Sequence, residues 1–241
     1  GLCDYNLYDM KVSEAACQWL RREAPKASQK PWVLCASFVS PHYPLVVPQH
    51  YFDLYPLSEI EPPRLNSSSE LSNHPVLKAM RDYLNYDDFF DTESRQVAKA
   101  SYLGLCSFLD SHVGALIEAL HDSGQYDDTL IIYTSDHGEM AGNHGMWTKC
   151  VMYEESAGIP LILSGPGVSK GEVISTQASL VDIHPTILQA TGLGLSSNDL
   201  DLPGYSLLDL VAGESPDRLV LSEYHDGGSI TGMFMIRKNQ Y

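Results

Sequence analysis

The stretch Ile131-Ile132-Tyr133-Thr134-Ser135-Asp136-His137-Gly138-Glu139 sets an apolar, β-branched and aromatic run directly before a carboxylate and an imidazole. Residues 130–134 have strand composition, and the change to Ser-Asp-His-Gly puts polar groups at the carboxyl end of that strand. An Asp oxygen beside a neutral His nitrogen suits a divalent ion, and Gly138 lets the backbone turn with both donors on its inner side. An Asp that caps a helix beside an ordinary loop histidine is the other reading of the same residues.

Working outward, the tract His144-Gly145-Met146-Trp147-Thr148-Lys149 ends in a lysine whose compact ammonium could bind an anionic oxygen, although a solvated surface lysine has the same local sequence. Further on, residues 159–163 read as a second short apolar strand closed by Gly165-Pro166-Gly167, and residues 180–190 as a helix ended by Gly192. Residues 219–223 and 232–237 read as later strands.

Toward the N-terminus, residues 92–122 read as a helix starting at Asp91-Thr92, with Val97, Tyr102, Leu105, Leu109 and Val113 on one side, and residues 74–84 as a shorter one. Residues 40–65 are rich in Pro and Tyr without periodicity, which predicts a long ordered loop. It opens with Ser40-Pro41-His42-Tyr43-Pro44, where two prolines stiffen the backbone around a histidine directly after the apolar run 32–38. Such a His can donate to a leaving-group oxygen or can simply bond to its own loop. A helix over 12–20 precedes that run. Strands alternating with helices predict an α/β sandwich around a mostly parallel sheet, with ligands bound outside the carboxyl ends of the strands, where both 37–42 and 135–138 fall.

The chain of 241 residues carries a net charge of −16, the wrong sign for holding nucleic acid over a broad surface. A small anion stays compatible with that charge where a metal or lysine reverses the field inside one pocket. No run reaches the roughly 20 consecutive apolar residues of a membrane span, so no membrane partner is expected. The five cysteines form no CxxC pair, and Cys35 and Cys106 lie in apolar runs that predict small core residues. Export and a cytoplasmic location both stay open, as does the oligomeric state.

Taken in order, "SFVSPHYP", "IIYTSDHGEMAGNHGMWTK", "ESAGIPLILSGPG", "SLVDIHPTIL" and "PGYSLL" resemble the sulfatase family of the alkaline phosphatase superfamily. The look is nearest to choline sulfatases, iduronate and glucuronate 2-sulfatases and arylsulfatase K. The resemblance implies an alkaline-phosphatase-like α/β/α sandwich, with residues 1–218 as the central and C-terminal part of the catalytic domain and 219–241 as the start of a small C-terminal subdomain. It implies hydrolysis of a sulfate ester, of a sulfated carbohydrate or of choline. It makes Asp136 and His137 ligands of Ca2+, with Mn2+ or another divalent ion as alternatives, and Lys149 and His42 sulfate contacts. His42 would also protonate the leaving oxygen, and His225 is a weaker candidate for the substrate pocket. The family's nucleophile is formylglycine, made from Cys or Ser in C/S-x-P-x-R. Cys17 is followed by Gln18-Trp19-Leu20-Arg21 and Cys150 by Val151-Met152-Tyr153, so neither fits, and the nucleophile is expected in an upstream segment. A phosphonate or phosphate diester hydrolase and a non-catalytic binder of sulfated ligands are the competing expectations.

Overall fold

A computed structural model describes residues 1–27, 30–197 and 199–239. Its first helix, α1 (Asp4–Arg22), begins well before the predicted 12–20. Its first turn is closed by Asn6, whose Oδ1 accepts the Cys3 N–H at 2.9 Å. The early turns escape a pattern search because Leu7, Tyr8 and Met10 are exposed and make no apolar stripe. Ser28 and Gln29, between α1 and the run 32–38, lie outside the described residues.

Within the loop 40–65 sits the single-turn α2 (Gln49–Phe52), followed by α3 (Pro75–Tyr83) and the 31-residue α4 (Thr92–Asp122). Asp91 caps α4 by accepting the Ser94 N–H at 2.8 Å, where the sequence predicts the start. By length and composition alone α4 would pass for a membrane span. Here it is the helix on which α1 and α2 pack.

The strand β1 (Ile131–Thr134) pairs with β2 (Leu161–Ser164), with Ile131 opposite Ser164 and Thr134 opposite Leu161. Between them lie a 3-10 turn (Asn143–Gly145) and the short α5 (Glu154–Ala157). Next come α6 (Ile183–Ala190), which Gly192 ends at φ +72, and α7 (Leu207–Val211). The hairpin β3 (Val220–Tyr224) with β4 (Met233–Arg237) follows.

Both described ladders are antiparallel, where the reading of strand–helix alternation expects a mostly parallel sheet. The reason is local. The chain leaves β1, makes the excursion 135–160 without a crossover helix, and returns along the same strand, and such a return is antiparallel. Residues 32–38 join neither ladder. Their burial still alternates, with Trp32, Leu34, Ala36 and Phe38 turned inward and Val33, Cys35 and Ser37 exposed. Period two therefore puts Cys35 on the open side, correcting the expectation of a core cysteine. Cys106 is partly buried, and that burial pushes its thiol pKa up.

Three apolar clusters fill the interior. Cys17, Leu20, Ala24, Ala119 and Leu120 join α1 to α4, with Trp32, Leu34 and Ile131 packed against them. Val47, Leu105 and Phe108 hold the loop 45–52 on the middle of α4. Met80, Met140, Met146 and Val151 lie beneath the excursion that follows β1, with Tyr224 and Met233 of the hairpin against them. Met80 and Met140 are essentially inaccessible, and each such side chain contributes about 1.5–3 kcal/mol relative to exposure. Residues 138–151 are therefore seated on a core even though they form almost no regular structure.

Candidate active site

At the end of β1, Thr134 Oγ1 donates to the Pro160 carbonyl at 2.9 Å, and Ser135 Oγ donates to the His137 carbonyl at 2.8 Å. Gly138 N–H donates to the Ser156 carbonyl at 2.8 Å. A Cβ on Gly138 would stand 2.0 Å from the Glu155 carbonyl oxygen, so the close approach of two backbones is what requires glycine here.

These bonds fix two candidate metal ligands. His137 Nδ1 lies 2.9 Å from the Gly138 carbonyl, which can only accept, so Nδ1 carries the proton and the neutral ring has its lone pair on Nε2. That Nε2 faces Asp136 Oδ2 at 3.6 Å. With the ring neutral, the Nε2 lone pair and the carboxylate oxygen are two donors that a divalent ion could share; with the ring protonated, the same contact is an ion pair. Asp136 is largely open to solvent, and among the described residues no cluster of three or more His, Cys, Asp or Glu forms around a metal position. Asp136 and His137 are two donors that could hold a divalent ion only together with further ligands.

From Gly138 the chain closes on itself. Met140 N–H donates to the Thr148 carbonyl at 2.6 Å, and Gly142 N–H to the Met146 carbonyl at 2.8 Å. Glu139 Oε1 accepts from Ala141 N–H at 3.0 Å and from Thr148 N–H at 2.5 Å. Burial pushes the Glu139 carboxyl above the usual range, against the opposing pull of those two amides and of Lys149 and His137. The backbone takes left-handed angles at Thr148 (φ +72) and Cys150 (φ +81), on either side of Lys149. A β-branched residue there costs of order 1–3 kcal/mol, and the Thr148 bonds to Glu139 and Met140 offset it. Strain thus flanks the residue that presents the ammonium.

Lys149 Nζ lies 2.8 Å from His42 Nε2 and 5.6 Å from the centre of the Tyr43 ring. His42 Nδ1 lies 2.7 Å from the Tyr43 carbonyl, so Nδ1 carries the proton and Nε2 accepts from the lysine. The His42 and His137 rings are 5.9 Å apart. His42, Asp136, His137 and Lys149, separated by up to 107 positions in the chain, therefore share one neighbourhood. A cleft of about 590 Å³, lined by Tyr43, Tyr86, Phe90, Glu139, Trp147 and Thr148 among others, opens beside it. The described partners of His225 are Glu223 at 3.3 Å and the Phe234 ring on the β3–β4 hairpin.

Sequence reading passed over Glu139 and Asp87 as site supports. Glu139 stood inside the quoted motif, but its bonds to Ala141 and Thr148 depend on how the loop closes. Asp87 Oδ1 accepts from Trp147 Nε1 at 3.0 Å and from Arg95 Nε at 2.9 Å, tying the lysine loop to α4. No local pattern marks it.

A strand end offering a metal-type Asp-His pair beside a lysine and a histidine has the donors and charge to receive an anionic group. The comparisons define the family. The sulfatase family model matches residues 2–193, and this chain belongs to that family. The choline-sulfatase of Rhizobium meliloti (strain 1021) is 33% identical over 238 residues, covering 97% of this chain and 46% of the relative. Arylsulfatase K of Canis lupus familiaris is 34% identical over 255 residues, with the same coverages of 97% and 46%. Among solved structures, a phosphonate monoester hydrolase from Silicibacter pomeroyi superposes with a TM-score of 0.73 at 30% identity, over 88% of this chain and 44% of that one. The fold is accordingly the alkaline-phosphatase-like α/β fold of the sulfatases, and the chain spans about half the length of the curated relatives it matches.

Proposed function

We propose that the protein containing this chain hydrolyses sulfate esters at the His42–Asp136–His137–Lys149 cluster, acting on a sulfated carbohydrate or choline sulfate. The observation that carries this reading is the approach of Lys149 to His42 at 2.8 Å beside the Asp136–His137 pair. Asp136 and His137 would hold a divalent ion, calcium or manganese, which supplies charge neutralisation to the sulfuryl oxygens when bound. The nucleophile, by family resemblance a formylglycine, comes from outside these 241 residues.

The chain's own residues then divide the work. Lys149 gives its ammonium to a sulfuryl oxygen, where its charge is worth most as negative charge develops in the transition state. This contact replaces the one to His42 and frees Nε2 to take a proton from solvent. When the ester S–O bond breaks, the electron pair stays on the alcohol oxygen, and the His42 imidazolium protonates it. The Tyr43 carbonyl keeps the ring oriented throughout by accepting from Nδ1. Residues 219–241, which include the β3–β4 hairpin, are proposed as the start of the C-terminal subdomain.

A turnover panel on the full-length protein tests the reading: uronate 2-sulfates, choline sulfate, 4-nitrophenyl sulfate and a phenylphosphonate monoester. Sulfate release from at least one organic sulfate, faster than cleavage of the phosphonate, is the expected result. Preferred cleavage of the phosphonate would overturn it.

A further inference from the structure

One carboxylate takes no part in the chemistry above yet is bonded to the loop that presents His42. Asp9, on α1, is fully inaccessible to solvent. Its Oδ1 accepts the Val39 N–H at 2.7 Å, and its Oδ2 accepts the Ser40 N–H at 2.9 Å. Ser40 is itself buried. One turn further, His42 N–H donates to the Val39 carbonyl at 3.0 Å. The ring then donates from Nδ1 to the Tyr43 carbonyl and accepts Lys149 at Nε2. A continuous chain of hydrogen bonds therefore runs from the Asp9 carboxylate through the 39–40 backbone to the atom facing the anion site.

Two further features indicate that this bond does more than fill a turn. Residues 32–38 join neither of the described ladders, and the two Asp9 bonds fall directly at the end of this run. Phe38, the last inward residue of that run, stacks on His112 of α4 with ring centres 5.7 Å apart and planes within 6°. Packing against α4 thus sets the depth of the run, and the two Asp9 oxygens set the direction in which it leaves. A carboxylate sequestered from water is costly unless both oxygens are bonded, and here both are spent on the two amides immediately before the Pro41-His42 step.

We infer that Asp9 is a positioning residue for His42, holding the imidazole in the Nδ1–H form with Nε2 aimed at the leaving-group oxygen. The inference rests on the sulfate-ester reading above for its catalytic consequence. An asparagine of the same size can accept through one oxygen only, so Asp9→Asn keeps the volume and loses one of the two anchors. Misplacing a proton donor by about 1 Å costs up to about 100-fold in the step it serves.

The test uses the full-length protein and two substrates of different leaving-group quality. Protonation by His42 matters for an alkyl or sugar sulfate and little for 4-nitrophenyl sulfate, whose phenolate departs unaided. In Asp9→Asn the ratio of alkyl to aryl kcat should fall about tenfold or more, as in His42→Ala, with KM for the aryl ester unchanged. Because both rates come from one sample, partial unfolding cancels in the ratio. An unchanged ratio overturns the inference.

Nitrogen-15 NMR of the wild-type histidines needs neither turnover nor a variant. A single Nδ1–H tautomer for His42, with slowly exchanging Val39 and Ser40 amides, is the expected result. A mixture of tautomers with fast-exchanging amides overturns the inference even if Asp9→Asn fails to fold. Absence of sulfate release by the wild type would instead overturn the functional reading and leave the NMR result to decide the role of Asp9.

Discussion

At the scale of single residues, the account assigns separable tasks. Lys149→Ala should lower turnover of every sulfate ester by about 10²–10³-fold, because it removes a charge needed most in the transition state. Lys149→Arg should not restore it, since a broad planar guanidinium cannot sit where the compact ammonium meets His42 Nε2 at 2.8 Å. Steady-state kinetics with aryl and alkyl sulfates checks both. Asp136→Ala should weaken binding of the divalent ion by at least tenfold, measured by calorimetric titration, with the fold unchanged because this side chain is mostly in water. The four candidate site residues were legible in sequence as compact motifs, with His42 and the Asp136-His137 pair directly after apolar runs and Lys149 at the end of the 144–149 tract. Asp9 and Asp87 were not legible, because a carboxylate gains such a role only from the distant backbone or indole that folding brings to it.

At the scale of elements, the excursion from 135 to 160 is the unit that matters, and two changes probe it. Gly138→Ala would drive a methyl group onto the Glu155 carbonyl, and should cost about 1–3 kcal/mol in denaturant unfolding and disorder the Asp136–His137 pair. Asp87 ties this excursion to α4. Burial opposes its ionisation, but the bonds from Arg95 and Trp147 prevail and hold its pKa below the ordinary 3.8. A carboxylate whose pKa is depressed on folding contributes its full stability above the unfolded value, and that contribution is lost as pH falls through the lower, folded value. Asp87→Asn should therefore flatten the loss of stability below about pH 4 that the parent shows, read by thermal melts across acid pH. Helix α4 was predictable to its cap, since Asp91 and the apolar spacing are local signals. Pairing of β1 with β2 was not, because alternation of strands with helices says nothing about which way the chain returns when the intervening segment is a loop.

At the scale of the molecule, the parts after β2 are joined to each other by a buried ion pair. Asp182 is fully inaccessible and accepts from Ser179 N–H, Tyr205 N–H and Arg218 at 2.8 to 2.9 Å, while Arg218 lies over the Tyr205 ring. Asp182→Ala strands the Arg218 charge in the interior, and should destabilise by about 3–5 kcal/mol in urea unfolding. None of the described bonds of Asp182 or Arg218 reaches the four site residues, so the folded fraction of that variant should keep the parental KM. The central claim concerns the site, and one measurement addresses it directly: the initial rate of inorganic sulfate release by the full-length protein and its Lys149→Ala variant, with and without a chelator of divalent ions. The account predicts metal-dependent release that falls by about 10²-fold or more in the variant. Release at the parental rate by Lys149→Ala, or release indifferent to chelation, would contradict it.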